Sequence, residues 1–160
     1  MVVSNTTPLS NLLHLGQTQI LHKLFGSVSV PIAVRDELEA YFGESSSWKE
    51  CRSAGWVVVE PAEDQRLVKQ FMTFMHAGEA EAVVLALEKN AGLVLIDDRD
   101  GRNAAEENDL KVCGTVGILI KAKATGLIPD ISSALNKLRQ QHVFWLSDAM
   151  YREALRLSGE

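Results

Sequence analysis

Residues 93–102 read Leu-Val-Leu-Ile-Asp-Asp-Arg-Asp-Gly-Arg, four apolar side chains leading straight into three carboxylates. An apolar run like 93–96 predicts a strand covered on both faces, and such strands belong to parallel sheets. In an open parallel sheet, ligands bind beyond the carboxyl ends of the strands. Asp97, Asp98 and Asp100 stand at one of those ends.

The segment upstream leads into this strand. Over 79–90, Ala80, Val83, Val84 and Leu87 recur at helical spacing. A helix of roughly twelve residues spans about 18 Å, enough to cross a sheet and return. Its N-terminus then lies at the edge where Asp97 stands, with Glu79 and Glu81. Both acids flank the apolar stripe, so spacing does not separate them. Each also suits a plainer role, a first-turn acid stabilised by the helix dipole.

Working outward, 2–4, 28–30, 56–59 and 111–113 predict further short strands. Asn5-Thr6-Thr7-Pro8 predicts a helix start, with Leu9, Leu12, Leu13 and Leu15 following before Gly16. Ile20, Leu21, Leu24 and Phe25 suit a second helix, and Pro31 opens one bearing Val34, Leu38 and Tyr41. The polar stretch 43–55 predicts a loop or short helix. Helices are further expected over about 63–75, 101–109, 115–125 and 132–141, with Ser147 capping a last one. Strands alternating with helices predict a three-layer α/β/α fold around a mainly parallel sheet of about five strands. No repeat or linker interrupts residues 1–160, which read as a single domain.

Two more residues join the acidic edge. Asn5 follows the first strand. On a helical wheel, Glu37 falls about 60° from Val34 on the side of Tyr41, whereas Asp36 and Glu39 point away from the stripe. Glu37 is thus the acid of that helix best placed to border the core, or else a surface acid paired with Arg35 or Lys49. Oxygen ligands gathered from separate segments suit a hard cation, and phosphodiester hydrolysis uses one to neutralise charge and activate water.

Other residues carry weaker signals. A hydroxyl of Ser4, Thr6 or Thr7 would orient a water near Asn5, or simply cap the helix. Arg99 and Arg102 would grip phosphate, or neutralise Asp98 or Asp100. The helix start at Gly114-Thr115-Val116-Gly117 would offer free amides to a phosphate, or serve only as a turn. His14, His22, His76 and His142 show no ligand spacing. Trp48, Trp56 and Trp145 are too scattered for a stacking platform. Phe71, Met72, Phe74 and Met75 are too apolar for one exposed helix and suggest a covered interface.

The totals narrow the class. A net charge of −5 opposes a basic nucleic-acid coat, though carboxylates gathered round a cation produce the same sign. Cys51 and Cys113 lack CxxC spacing and suit a reducing compartment. The start MVVSNTTPLSN lacks a basic region and a long apolar run, and no segment approaches the roughly 20 apolar residues of a membrane span. A cytoplasmic protein is expected.

Five stretches resemble the PIN-domain ribonucleases, the fold of VapC-like toxins of bacterial toxin–antitoxin pairs: VVSNTTPLSNLLHLGQ, FGSVSVPIAVRDEL, GEAEAVVLALE, LVLIDDRDGRNAA and KVCGTVGILIKAKATGLI. The likeness is strongest to a bacterial and archaeal subgroup with a GEAEA helix and a DDR strand exit. It implies that the acidic positions fall on Asn5, Glu37, Glu79 (with Glu81 a rival) and Asp97, with Asp98 and Asp100 assisting. It implies Mg²⁺- or Mn²⁺-dependent endoribonuclease action, homodimers and a small antitoxin partner. Two departures stand out: Asn5 replaces the usual Asp, and Leu95 stands where a Thr or Ser is frequent. An amide oxygen ligates a cation but adds no charge and cannot act as a base. The expected function is a metal-dependent ribonuclease. The alternative is a catalytically weak PIN-like module that binds a partner protein or RNA. A phosphoryl-receiver domain fits poorly, because the first strand lacks an acidic pair.

Overall fold

The computed structural model describes all 160 residues. Five short strands form the sheet: β1 (Val2–Ser4), β2 (Val28–Val30), β3 (Val57–Val59), β4 (Leu93–Leu95) and β5 (Val112–Cys113). Helices α1 (Thr6–Leu15), α2 (Gln19–Phe25), α3 (Ile32–Phe42), α4 (Ser46–Ser53) and α5 (Gln65–Phe71) come first. Then follow α6 (Ala77–Glu88), α7 (Arg99–Glu107), α8 (Thr115–Ala124), α9 (Ser132–Gln140) and α10 (Asp148–Ser158). Every strand pair is parallel, in the order β3-β2-β1-β4-β5. The expected three-layer α/β/α architecture is the one observed.

Alternation along the strands explains the layering. Val94 and Ile96 point into one apolar cluster with Val3, Val68, Phe71 and the inner face of α6. Leu95 points the other way, into a larger cluster with Leu9, Leu12, Leu21, Ile118 and Leu135. Helices cover both faces, so the strands need apolar residues throughout. Truncating Leu12 or Ile118, both fully buried, to Ala is worth about 2–5 kcal/mol.

The sequence of strands places the site. From β1 the chain moves outward to β2 and β3, then returns to lay β4 on the opposite side of β1. The crevice between β1 and β4 is the switch point where such sheets bind ligands. The two strands are in register through Val3 and Val94, and the Asn5 amide donates to the Leu95 carbonyl at 2.9 Å.

Several boundaries differ from expectation for local reasons. The helix expected over 63–75 is only Gln65–Phe71. The Asp64 side chain caps it by accepting from the Leu67 amide, and tight turns follow at Thr73 and Phe74. α6 begins at Ala77, two residues early, and α7 at Arg99, because the Asp98 carboxylate accepts from the Asp100 and Gly101 amides. Residues 43–55 do contain a helix, capped by Ser45. Ser147 caps the last helix as expected, accepting from the Met150 amide.

Candidate functional site

The acidic edge is built by the exits of β1 and β4 and the starts of α1, α6, α7 and α8. Asn5 is fully buried there, and neither its Oδ1 nor its Nδ2 has a hydrogen-bond partner. It holds the N-cap position of α1 but makes no side-chain cap bond, so the capping role expected of this segment is absent. An orphaned amide in the interior costs roughly 1–3 kcal/mol. Glu79, in the first turn of α6, carries a second orphan, its buried Oε2. Burial pushes the Glu79 carboxyl above its usual range, and the charges of Asp98 and Glu37 push it further.

Asp97 is differently placed. Its Oδ1 accepts from the Thr115 amide at 2.7 Å and its Oδ2 from the Thr115 hydroxyl at 2.5 Å. Burial raises its pKa, and the Thr115 bonds and the nearby Arg102 charge offset this only in part. The Thr115 amide suggested for a phosphate is therefore engaged by Asp97. Gly114 makes the approach possible: a Cβ there would fall 2.6 Å from Asp97 Oδ1.

Glu37 is reached from two sides. The Thr6 hydroxyl donates to its Oε2, so Thr6 serves an acid, not the α1 terminus or a free water. Gly78 backs the same carboxylate, since a Cβ there would lie 2.9 Å from Glu37 Oε1. Arg35 and Lys49, the suggested partners of Glu37, instead pair with Asp36 and Glu44.

Glu81 faces the start of α3, where its Oε2 accepts from the Ala33 amide at 2.9 Å. This separates it from Glu79, which spacing left equivalent. Asp98 is the α7 cap, and Asp100 is exposed in the first turn of that helix. Arg102 turns inward to the Ile96 carbonyl at 3.3 Å, beside Gly114. Arg99 is exposed and forms no ion pair with Asp98 or Asp100. Leu95, at the second departure, is wholly buried among apolar side chains.

Sequence reasoning missed Asn11. It is buried, and its Nδ2 donates to the Thr115 hydroxyl at 2.9 Å, completing a chain from Asn11 through Thr115 to Asp97. The available signal was the polar pair Ser10-Asn11 between Leu9 and Leu12, with Asn11 next to the apolar face. Phe71 and Met75, read as part of an interface, belong to the core, while Met72 and Phe74 face solvent.

No three His, Cys, Asp or Glu side chains are placed to hold a metal ion, so the structure does not gather Glu37, Glu79 and Asp97 into one carboxylate cage. Both Asp97 oxygens are held by Thr115. The donor set nevertheless suits a hard cation: buried oxygens of Asn5 and Glu79 without partners, with Asp97 and Glu37 at the same edge.

A family model described as a PIN domain matches residues 1–160. The chain belongs to the PIN-domain family. PIN domains are generally nucleases that use divalent metal ions. No curated protein matches the chain. No helix of this PIN domain is long and apolar enough to cross a membrane.

Proposed function

We propose that this PIN domain is a divalent-metal-dependent endoribonuclease, working as a single domain over residues 1–160. The observation that carries the reading is the pair of buried orphans, Asn5 and the Glu79 Oε2, at the edge that also bears Asp97 and Glu37. A folded protein keeps unpartnered buried polar atoms where something else completes them. Asn5 Oδ1, Glu37, Glu79 and Asp97 would hold Mg²⁺ or Mn²⁺. Such an ion supplies positive charge at the phosphoryl group and a lower pKa for the attacking water.

The chain's own residues do the rest. Thr115 orients Asp97, and Thr6 and Gly78 position Glu37. Burial and the Asp98 charge raise the Glu79 pKa, which favours completion of its carboxylate by a cation at this edge. No Ser–His or Cys–His pair is needed, so water attacks directly and no covalent enzyme intermediate forms. Arg99, exposed and unpaired beside the acids, is free to meet phosphate.

The family resemblance further supports a cytoplasmic toxin with a small antitoxin partner. A homodimer would cover the exposed Met150 and Leu157 of α10. The test is cleavage of RNA in Mg²⁺, Mn²⁺ or EDTA, comparing the wild type with Asp97→Asn. Metal-dependent cutting lost in the variant supports the reading, and equal cutting by both overturns it.

A second reading, a PIN module that binds RNA or protein without cutting, is favoured by Asn5 and by the engaged Asp97 oxygens. Cleavage that appears only in Asn5→Asp would establish it.

A further inference from the structure

A cleft of about 320 Å³ opens between the turn at 72–76 and the start of α7, where it meets Asp98 and Asp100. Phe74, at 53% exposure, and Met72, at 48%, line it. The turn is braced: the Thr73 hydroxyl donates to the Gln70 carbonyl at 2.7 Å, and the Phe74 and Met75 amides both donate to the Phe71 carbonyl. The buried Phe71 ring meets Phe74 edge-on, with centroids 6.0 Å apart, so Phe74 is a supported ring with solvent before it.

The polar side of the cleft carries the Asp98 and Asp100 carboxylates, with His76 and Thr73 on the side of the turn. Asp98 Oδ1 is occupied with two α7 amides, which fixes that carboxylate as the helix cap, whereas neither oxygen of Asp100 takes part in a cap or an ion pair. Two acids repel phosphate but welcome a neutral ring with N–H donors. An aromatic platform and a free carboxylate in one cleft match a nucleobase. Guanine fits best, because its ring N–H and exocyclic amino group point the same way and meet both oxygens of one carboxylate. Adenine and cytosine place a lone pair beside their amino group, and uracil flanks its N–H with carbonyls; a carboxylate repels both patterns. The cleft adjoins the acidic edge: Gly101 bonds Asp98 through its amide, and a Cβ there would lie 3.3 Å from Glu79 Cγ.

We propose that the Phe74–Asp100 cleft is a base-recognition subsite that seats one unpaired guanine of a single-stranded RNA, by stacking on Phe74 and by a two-point hydrogen bond to Asp100. The subsite rests on the ribonuclease reading and names the feature of RNA that this edge selects.

The test measures binding of the full chain to labelled single-stranded oligoribonucleotides in EDTA. The strands are uridine-rich and carry one guanine, inosine, adenine or no purine. Guanine should bind tightest, with inosine weaker for want of the amino group. Phe74→Ala should weaken the guanine strand about 5- to 150-fold, as loss of one stacked base does, and Phe74→Trp should retain it. Asp100→Asn should abolish the guanine preference while leaving stacking. Equal affinity for all strands, or no effect of Phe74→Ala, overturns the subsite. So does an Asp100→Asn variant that keeps the guanine preference. A parallel cleavage assay in Mn²⁺ separates the two readings. Selective guanine binding without cutting overturns the nuclease but keeps the subsite. Cutting without base preference overturns the subsite alone.

Discussion

Replacing Asn5 with Asp tests whether position 5 is a buried ligand waiting for a cation. The side chain is fully buried, so the new carboxylate could not reach water. Both polar atoms of the native amide already lack partners, so no donor stands ready for it. An uncompensated buried charge costs about 3–5 kcal/mol. In a chain of this size 1 kcal/mol moves Tm by about 2–4 °C, so Asn5→Asp should melt about 6–20 °C below the wild type in EDTA. The penalty belongs to the ionised form. Burial raises the folded pKa of the new carboxyl, so the loss should deepen from about pH 5 to about pH 8, while the protonated acid nearly matches Asn. Mn²⁺ should reverse it: at a hundredfold excess over Kd, a ligand of the folded state returns about 2.7 kcal/mol. Thermal melts of both proteins across pH, with EDTA or Mn²⁺, measure every step. If Asn5→Asp in EDTA melts within about 2 °C of the wild type at high pH, position 5 reaches solvent and the buried-ligand reasoning is wrong.

Glu79→Gln should raise the melting temperature of the apo protein while removing its thermal response to Mn²⁺, because it deletes a half-buried carboxylate whose pKa is raised by burial and by Asp98. An unchanged Mn²⁺ response would remove Glu79 from the site. Thr115→Val should cost about 1–3 kcal/mol in urea unfolding, since it orphans Asn11 and takes a donor from Asp97, and Thr115→Ser should recover most of it. Glu160 is held at about pKa 2, below its ordinary 4.5. Burial raises it, but hydrogen bonds from the Ile131 amide, Lys123, Ser132 and Ser158 outweigh that. A depressed acid stabilises the fold above its ordinary pKa and loses that contribution as pH falls through the folded value. Glu160→Gln should therefore lower urea midpoints near neutrality and flatten their decline between pH 4.5 and about 2, and parallel wild-type and variant curves would refute it.

The architecture was legible because period and composition agreed at every level. An apolar run at 93–96, a helical stripe before it and three acids after it leave little choice but a buried parallel strand with a ligand edge. Asn5, Asp97 and the pair Glu79 and Glu81 were expected at that edge from strand exits and helix direction, and helix phase marked Glu37. What the sequence hid was partnership. Glu79 and Glu81 are two residues apart on one helix, yet one ends in an orphaned oxygen and the other on the Ala33 amide. That depends on how α3 packs on α6, which no local pattern encodes. The Asn11–Thr115–Asp97 chain joins residues about a hundred positions apart and was invisible for the same reason. The ends of α5, α6 and α7 moved by a turn or less because caps and turn bonds, not periodicity, decide where a helix stops.

Thr115 has a single hydroxyl hydrogen. With Asn11 donating to its oxygen, that hydrogen is left to point at Asp97. The carboxylate thus loses its rotational freedom when the chain folds, and its unused lone pairs already have a fixed heading. Whatever arrives at the edge meets a preset direction, so little side-chain entropy remains to be lost on arrival.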